Sequence, residues 1–352
     1  MKLALDKPEE ERTSTSWEML RKQRSYKLGV LISLIILSVF SILLSVSLGA
    51  LKIPFGDVIH CIFKDTEGIN RQIIWNVRLP RTLVAALVGM SLSVAGAILQ
   101  GVMRNPLASP NIIGVSSGAG LAAVTILILF PSYYYLVPPV AFIGALTSTL
   151  LIYILAWKGG IKPLRMILAG VAVSSFLSAG INTLMIFFPD RVHGVITFMV
   201  GGLAAKSWVH LRVMWPYALF GIIVACIFSN KLNILMLGDE IAVSLGLKVE
   251  KIRLSFIAIA ALLAANAVSM VGLLGFVGLI VPHIARIIIG SDYRYLFPAS
   301  ALMGISLLVL CDTLARTIMD PIEIPVGIIM ALLGAPFFLY LLRGGLKTRV
   351  RG

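Results

Sequence analysis

Long uninterrupted stretches of apolar residues, separated by short polar segments, recur along nearly the whole chain. About 20 apolar residues in a helix are enough to cross the hydrocarbon layer of a membrane. The pattern predicts ten membrane-spanning helices, at residues 28–51, 82–103, 113–130, 136–157, 166–188, 213–228, 254–271, 274–289, 296–311 and 325–342. The eighth predicted span is short and interrupted by glycine, so the seventh and eighth spans are the least regular part of the pattern.

The composition supports an integral membrane protein. Hydrophobic residues make up 59% of the 352-residue chain, charged residues only 13%, and the mean hydropathy is +0.97. A soluble domain of this size needs far more polar surface. A transmembrane barrel would instead show short alternating segments, so the expected fold class is an all-α membrane protein.

The basic residues predict how the chain is oriented. With the N-terminus inside, 21 of the 30 lysines and arginines fall in cytoplasmic segments, as positively charged loops do in membrane proteins. We therefore expect both termini to be cytoplasmic. The basic residues left outside are Lys52, Lys64, Arg71, Arg78, Arg81, Arg191, Lys206, Arg212 and Arg316.

The polar segments leave no room for a separate soluble domain. Residues 1–27 are expected to form a cytoplasmic N-terminal tail, residues 28–345 a single transmembrane domain, and residues 346–352 a cytoplasmic C-terminal tail. The first apolar run has no small-residue cleavage site and is expected to be a retained helix. The two long external segments, 52–81 and 189–212, are each expected to hold a short interfacial helix, the first beginning near Pro54.

The chain shows no sign of catalytic, metal or nucleic-acid chemistry. Its net charge of +14 is explained by cytoplasmic loops, and the three cysteines form no CxxC pair. His283 has no second histidine or carboxylate spaced to share a metal, so neither a metal site nor a cofactor is expected. The strongly polar groups within the predicted spans are few: Gln100, Asn182, Asn266, His283 and Arg286.

The source of energy for transport is not evident in this chain. Proton- and ion-coupled transporters usually place charged side chains inside the membrane, and none forms an evident coupling site here. A phosphate-binding loop of the form GxxxxGK[ST] is also lacking. Active transport by this chain would therefore need an energy-supplying partner.

Three stretches carry a family resemblance. They are RLPRTLVAALVGMSLSVAGAILQGVMRNPLASPNIIGVSSGAG at 78–120, LGDEIAVSLGLKVEKIR at 237–253, and VGLLGFVGLIVPHIARIIIG at 271–290 together with IPVGIIMALLGAPFF at 324–338. The chain resembles the iron-siderophore and cobalamin (FecCD-like) permeases of type II ABC importers, from about residue 28 to 345. The resemblance implies a ten-helix permease that pairs with a second permease chain, binds a cytoplasmic ATPase dimer and receives substrate from an extracytoplasmic binding protein or lipoprotein.

The second stretch predicts a short cytoplasmic helix within a loop at about 230–253. Asp239 and Glu240 favour a helix N-terminus, and Gly246 is placed to end that helix. By itself the pattern is also typical of an ordinary surface helix between two spans. The resemblance implies that it is the coupling helix that docks into the ATPase, with contacts from Gly238, Asp239, Glu240, Ala242, Leu245 and Gly246.

The resemblance also implies roles at the two ends of the spans. Outside, Arg78, Arg81 and Arg316 would pair with glutamates of the binding protein, since arginine binds a carboxylate through two parallel hydrogen bonds; snorkelling at the interface would also explain them. Inside, Asn105, Pro106 and Leu107 would form a cytoplasmic gate. The second gate element of the family aligns with residues 162–164, which read Lys-Pro-Leu and lack the small hydroxyl residues of some members.

These observations predict a transport subunit without catalytic residues in a bacterial cytoplasmic membrane. The expected substrate is a ferric siderophore, with haem and cobalamin as alternatives within the family. A transporter driven by an ion gradient is the alternative from another class, and a membrane-embedded enzyme would need a catalytic group that the spans do not show.

Overall fold

A computed structural model of the protein describes residues 9–49, 51, 53, 54, 56, 58, 61, 68–160 and 163–348. These residues fold into helices and contain no β-strand. We number the longer α-helices in chain order: α1 (Glu9–Ser47), α2 (Leu79–Val102), α3 (Val115–Leu129), α4 (Val137–Ala156), α5 (Pro163–Phe187), α6 (Val192–Val200), α7 (Trp208–Ile227), α8 (Ser229–Met236), α9 (Asp239–Ser244), α10 (Val249–Val271), α11 (Val277–Ile289), α12 (Tyr293–Thr317) and α13 (Val326–Thr348).

The predicted all-helical membrane fold is confirmed. Among the described residues, seven helices are long and apolar enough to cross a membrane, and α3, α11 and the segment Val326–Leu341 are shorter apolar helices. Together these ten coincide with the ten predicted spans. The orientation and the division into tails and membrane domain stay predictions.

Several helix boundaries differ from the predicted spans. Helix α1 begins at Glu9, well before the predicted start at residue 28. No glycine or proline occurs between residues 9 and 28, so the helix continues through polar residues that hydropathy does not count as membrane-spanning. Helix α2 is likewise preceded without a break by Ile69–Gln72 and a π-helical turn at Ile73–Arg78. The predicted interfacial helix near Pro54 lies mostly outside the described residues, whereas α6 confirms the one predicted in segment 189–212.

The helical structure is interrupted between α10 and α11, where the glycines of the sequence predicted an interruption. Gly272 has a φ of 81°, and the next residues form a short loop before α11 begins. The backbone there pairs with the end of α6: Leu273 donates to the carbonyl of Phe198 at 2.9 Å, and Gly202 donates to that of Val271 at 2.8 Å. These bonds satisfy backbone groups that would otherwise be costly at an irregular point of a membrane protein.

Helix α2 forms the centre of the bundle and is buried along almost its whole length. It packs most closely at two glycines. A β-carbon on Gly89 would overlap the carbonyl oxygen of Gly304 in α12, and one on Gly96 would overlap that of Gly278 in α11. Small residues let membrane helices approach each other in this way, so close packing explains Gly278 in α11.

The Asp292 carboxylate caps the start of α12 and links that helix to α8. Asp292 precedes α12 and accepts hydrogen bonds from the backbone of Arg294 at 3.1 Å and from the amide of Asn233 at 2.8 Å. Burial alone would raise the pKa of Asp292, but the donors from Arg294 and Asn233 outweigh it and lower the pKa to about 2. The cap therefore stays ionised at neutral pH.

Candidate functional site

The short helix α9 has the ends that the sequence predicts. Gly238 precedes it with a φ of 123°, and Gly246 follows it in the left-handed region with a φ of 79°. Gly246 donates to the carbonyl of Val243 at 2.8 Å, and Leu247 donates to that of Ala242 at 2.9 Å. This pair of bonds is a Schellman motif, in which glycine is favoured because it adopts a positive φ without strain. The predicted short helix and its stop at Gly246 are confirmed.

Helix α9 presents an apolar outer surface. Ala242 is fully buried against the rest of the protein, whereas the side chains of Ile241, Val243 and Leu245 are 50%, 60% and 60% exposed. Glu240 is also exposed. Large apolar side chains grouped on a polar loop are typical of a protein–protein contact surface.

Asp239, the first residue of α9, is held by two arginines. It accepts hydrogen bonds from Arg253 in α10 at 3.0 Å and from Arg104, which follows α2. Arg253 also pairs with Glu250 at 2.8 Å. Burial alone would raise the pKa of Asp239, but the hydrogen bonds and charges of Arg253 and Arg104 outweigh it and lower the pKa. The carboxylate is therefore ionised at neutral pH.

The predicted gate residues form a compact turn directly after α2. The Asn105 side-chain oxygen accepts a hydrogen bond from the backbone of Leu107 at 2.9 Å, and the Asn105 backbone donates to the Gln100 carbonyl at 3.1 Å. Asparagine favours such turns because its side chain can bond to the backbone two residues on. Pro106 is exposed, and Asn105 and Leu107 are half-buried.

The gate turn and the short helix are in direct contact through Arg104. Arg104, with a φ of 46°, donates to the Leu235 carbonyl at 2.8 Å at the end of α8 and to the Asp239 carboxylate. It is the residue immediately before Asn105. A displacement of α9 would therefore act on the gate turn through a single side chain.

The polar groups predicted within the spans have different surroundings. Gln100 is buried and bonds to Arg286 at 3.0 Å and to the Leu279 carbonyl at 3.3 Å. Asn266 is buried and donates to the Met214 carbonyl at 3.1 Å. Asn182, by contrast, lies exposed on α5. Gln100 and Asn266 therefore each link two helices through hydrogen bonds.

The three external arginines lie together and are mostly buried. Their relative exposures are 5% for Arg78, 7% for Arg81 and 7% for Arg316. Arg78 donates to the carbonyls of Val46 and Ser47, both at 2.9 Å, at the end of α1.

Arg81 and Arg316 share one buried carboxylate. Arg81 pairs with Asp312 at 2.9 Å and with Glu323 at 2.8 Å, and Asp312 is only 1% exposed. The Arg316 guanidinium lies 3.9 Å from the same Asp312 carboxylate and donates to the Ser45 hydroxyl at 2.8 Å. The cluster ties together the C-terminal ends of α1 and α12 and the N-terminal end of α2, which are predicted to be external.

Four further residues complete these clusters without having been candidates from the sequence: Arg104, Arg253, Asp312 and Glu323. Arg104 directly precedes the predicted gate turn, and Arg253 ends the stretch that contains α9, so proximity in sequence was an available signal. Asp312 is an acidic residue four positions before Arg316 in an apolar helix, which is itself unusual. Glu323 has no such signal.

A model of the FecCD transport family matches residues 35–344. The chain belongs to this family. The predicted resemblance is thereby confirmed, and the protein is a transport permease subunit with several membrane helices.

The similar proteins of this family are named for different substrates. The Fe(3+)-citrate import system permease protein YfmE of Bacillus subtilis is 42% identical over 92% of this chain and 97% of its own length. The cobalamin import system permease protein BtuC of Halobacterium salinarum is 43% identical over 77% of this chain and 73% of its own. A solved structure of a metal-chelate type ABC transporter in an inward-facing conformation is 29% identical, with a TM-score of 0.81 over 90% of this chain and 99% of that one.

Proposed function

We propose that this permease moves a ferric siderophore across a bacterial cytoplasmic membrane, energised by a separate ATPase dimer and supplied by an extracytoplasmic binding protein. The observation that carries the substrate class is the 42% identity, over nearly the full length of both chains, to a permease named for ferric citrate. An intact iron chelate needs no metal ligands from the permease, and the described residues hold no cluster of three or more histidine, cysteine or acidic side chains that could bind a metal.

A second permease chain would complete the transport path. Helix α5 leaves large apolar side chains uncovered, among them Phe176, Ile186 and Phe187 at 74–78% exposure. On α13, Leu332 and Leu339 are 67% and 65% exposed. These faces suit a contact with another copy or a homologous chain, while the remaining outward faces suit lipid.

The apolar surface of α9 is the proposed docking point for the ATPase. Ile241, Val243 and Leu245 project from the predicted cytoplasmic side, and Gly238 and Gly246 define the two ends of the helix. Movement of the ATPase dimer would displace α9, which contacts α10 through Asp239 and Arg253 at 3.0 Å. Nucleotide-driven motion would thereby reach the membrane helices.

Arg104 is the proposed connection between this motion and the gate at Asn105, Pro106 and Leu107. Replacement of Arg104 by glutamine should lower substrate uptake roughly 5- to 150-fold, the usual range of coupling between linked sites, while ATP hydrolysis by the assembled transporter continues. Side chains in the Arg104–Asp239 pair are 37% and 51% exposed, so its loss should cost at most about 1 kcal/mol of stability. Uptake and ATP hydrolysis measured on the same proteoliposomes separate the two effects.

A matched control for Arg104 is Arg294, another arginine on the predicted cytoplasmic side, which also pairs with an aspartate, Asp292 at 2.7 Å, and is 58% exposed. Arg294→Gln should leave uptake unchanged. Equal uptake by the Arg104→Gln variant and the wild type would contradict the proposed connection.

Binding-protein docking is proposed at the external surface around Arg78, Arg81 and Arg316. Support comes from the family resemblance of the RLPR stretch and from the grouping of the three arginines in one cluster. Because the three guanidinium groups already bond within the chain, a docking protein would act on a preformed cluster. Charge reversal at Arg78 and Arg81 should abolish docking, measured as binding-protein affinity for the reconstituted transporter.

The substrate is tested by uptake of radioactive iron in cells with and without the gene, supplied as hydroxamate, catecholate or carboxylate siderophores. Deletion should abolish uptake of one class, and the wild-type gene should restore it. A Glu240 and Gly246 double variant should not, because both residues lie on the proposed ATPase contact. Unchanged uptake of every siderophore together with lost haem or cobalamin uptake would overturn the substrate assignment.

Energy supply is tested in the same cells. Uptake should stop when the partner ATPase carries an inactivating substitution. Uptake that survives this substitution but collapses with an uncoupler would instead indicate a transporter driven by an ion gradient.

A further inference from the structure

A large crevice lies at the predicted external end of the helices, away from the arginine cluster and the gate turn. Its volume is about 990 Å³, and it is bounded by the beginnings of α4 and α7, by α6 and by the end of α10. Its wall is largely apolar, with the side chains of Tyr135, Phe142, Ile143, Val209, Val213 and Tyr217.

The apolar wall is open to the surroundings of the bundle. Tyr135, Ile143 and Val209 are 61%, 61% and 67% exposed. Along α7 the wall extends from Val209 to Tyr217, which at 1.5 Å per residue is about 12 Å. That length approaches the roughly 15 Å of hydrocarbon in one leaflet, half of the usual bilayer core. The crevice therefore has the depth and polarity of a site for an acyl chain.

Two basic side chains line the crevice at the start of α7. Lys206 and His210 both line it, and His210 bonds through its ring nitrogen to the Ser207 hydroxyl at 3.0 Å. No residue that lines the crevice carries a carboxylate, and no ion pair or hydrogen bond between described residues involves the Lys206 ammonium.

Among the described residues, Lys206 therefore lacks the counter-charge that a half-buried cation normally has. Burial lowers the pKa of the Lys206 ammonium, as expected where water is partly excluded and no described residue supplies a compensating anion. Buried charges are usually paired, so an anion from outside the chain would satisfy this site. At the head-group level of a membrane the available anion is a lipid phosphate.

We propose that this crevice binds an anionic phospholipid of the external leaflet, with its phosphate at Lys206 and one acyl chain along Phe142, Val213 and Tyr217. An apolar groove that ends at a basic group matches both parts of such a lipid. The inference goes beyond the proposed function, because it concerns the lipid bound to the permease and not the transported substrate.

The test is photo-crosslinking of the intact transporter in lipid nanodiscs that contain phosphatidylglycerol with a diazirine on its acyl chain. Mass spectrometry should find the label on peptides that carry Phe142 and Tyr217. Lys206→Ala should reduce that label about fivefold, the effect of about one basic residue on binding of an anionic lipid, and Lys206→Arg should retain it. A phosphatidylcholine probe with the same chain should label these peptides about fivefold less than phosphatidylglycerol.

Two variants test the contribution of the positive charge to lipid binding separately from that of the apolar groove. Arg212→Ala removes a positive charge from an exposed position on the same helix that does not line the crevice, and it should leave labelling unchanged. Val213→Trp fills the groove without changing charge and should abolish labelling of Tyr217. Excess inorganic phosphate should not displace the probe, because it lacks the acyl chain.

Equal labelling of the wild type and the Lys206→Ala variant would overturn the proposal, as would label spread evenly over all outward faces of the bundle. Displacement of the probe by inorganic phosphate would overturn the lipid assignment and indicate a simple anion site. Gel filtration and the thermal midpoint of each variant show that it is folded.

Discussion

Replacing both Ile241 and Leu245 with aspartate is expected to abolish uptake while leaving the permease folded. These side chains are 50% and 60% exposed in the free chain, so only part of each packs against the rest of the permease. Full burial of such a side chain is worth about 1.5–3 kcal/mol, and roughly half of that remains to be gained at each position in an ATPase contact. Loss of this burial at both positions should weaken ATPase binding roughly tenfold to a hundredfold. Co-purification of the ATPase with the permease, together with uptake in cells, measures the effect.

The controls for this prediction keep the surface apolar. Ile241→Val and Leu245→Met should retain both ATPase binding and uptake, because they preserve hydrophobicity and approximate size. The thermal midpoint of the isolated permease should be the same in all these variants. Full ATPase binding by the double aspartate variant would show that α9 is not the docking point.

Replacing Arg81 with methionine should be among the most destabilising single changes in this protein. Asp312, its partner at 2.9 Å, is 1% exposed and would keep only the longer contact with Arg316 at 3.9 Å. Removing one member of a buried pair costs about 3–5 kcal/mol. Thermal unfolding of the detergent-purified permease should show a clear drop in midpoint.

The double variant Arg81→Met with Asp312→Asn should recover part of this loss, because it removes the buried negative charge while Arg316 keeps its bond to the Ser45 hydroxyl. Arg294→Met is the matched exposed control. Arg294 pairs with Asp292 at 2.7 Å, but its side chain is 58% exposed, so the loss should be at most about 1 kcal/mol. A midpoint for Arg81→Met no lower than for Arg294→Met would contradict the structural role of the Arg81–Asp312 pair.

The expected loss of stability in Arg81→Met also affects transport, which the docking experiment must take into account. Arg81→Met should lose uptake because the permease itself is weakened, whether or not Arg81 contacts the binding protein. Arg78 donates to the carbonyls of Val46 and Ser47, so its replacement also loosens α1 from α2. Affinity for the binding protein, normalised to the folded fraction, is therefore the readout that isolates docking.

Helix ends that depend only on the local backbone conformation were predicted from the sequence. Gly246 ends α9 because a left-handed residue is needed at that point, and this depends only on the local backbone. Gly272 interrupts the apolar pattern where α10 ends. The start of α1 was predicted too late because hydropathy detects the membrane part of a helix and not its polar extension.

Contacts between residues that are far apart in the sequence decide which side chains form the candidate clusters. Arg81 and Asp312 are 231 residues apart, and Arg104 and Asp239 are 135 residues apart. The three arginines at the predicted external ends were predicted as docking residues from the family resemblance, but their burial and their bonds to α1 and Asp312 follow from helix packing. Arg104 adjoined the predicted gate without any sign that it reaches α9.

The sequence by itself determined the membrane class, the number of spans, the family and the short helix at Asp239, because apolar length, glycine position and ordered motifs are properties of contiguous residues. The tertiary structure alone decided which charges meet: Arg104 with Asp239 beside the predicted gate turn, Arg81 with Asp312 at the predicted external end, and Lys206, at an apolar crevice, with no carboxylate among the described residues. Electrostatic partners depend on distance in space and on exclusion of water, and both are set only when α2 packs between its neighbouring helices.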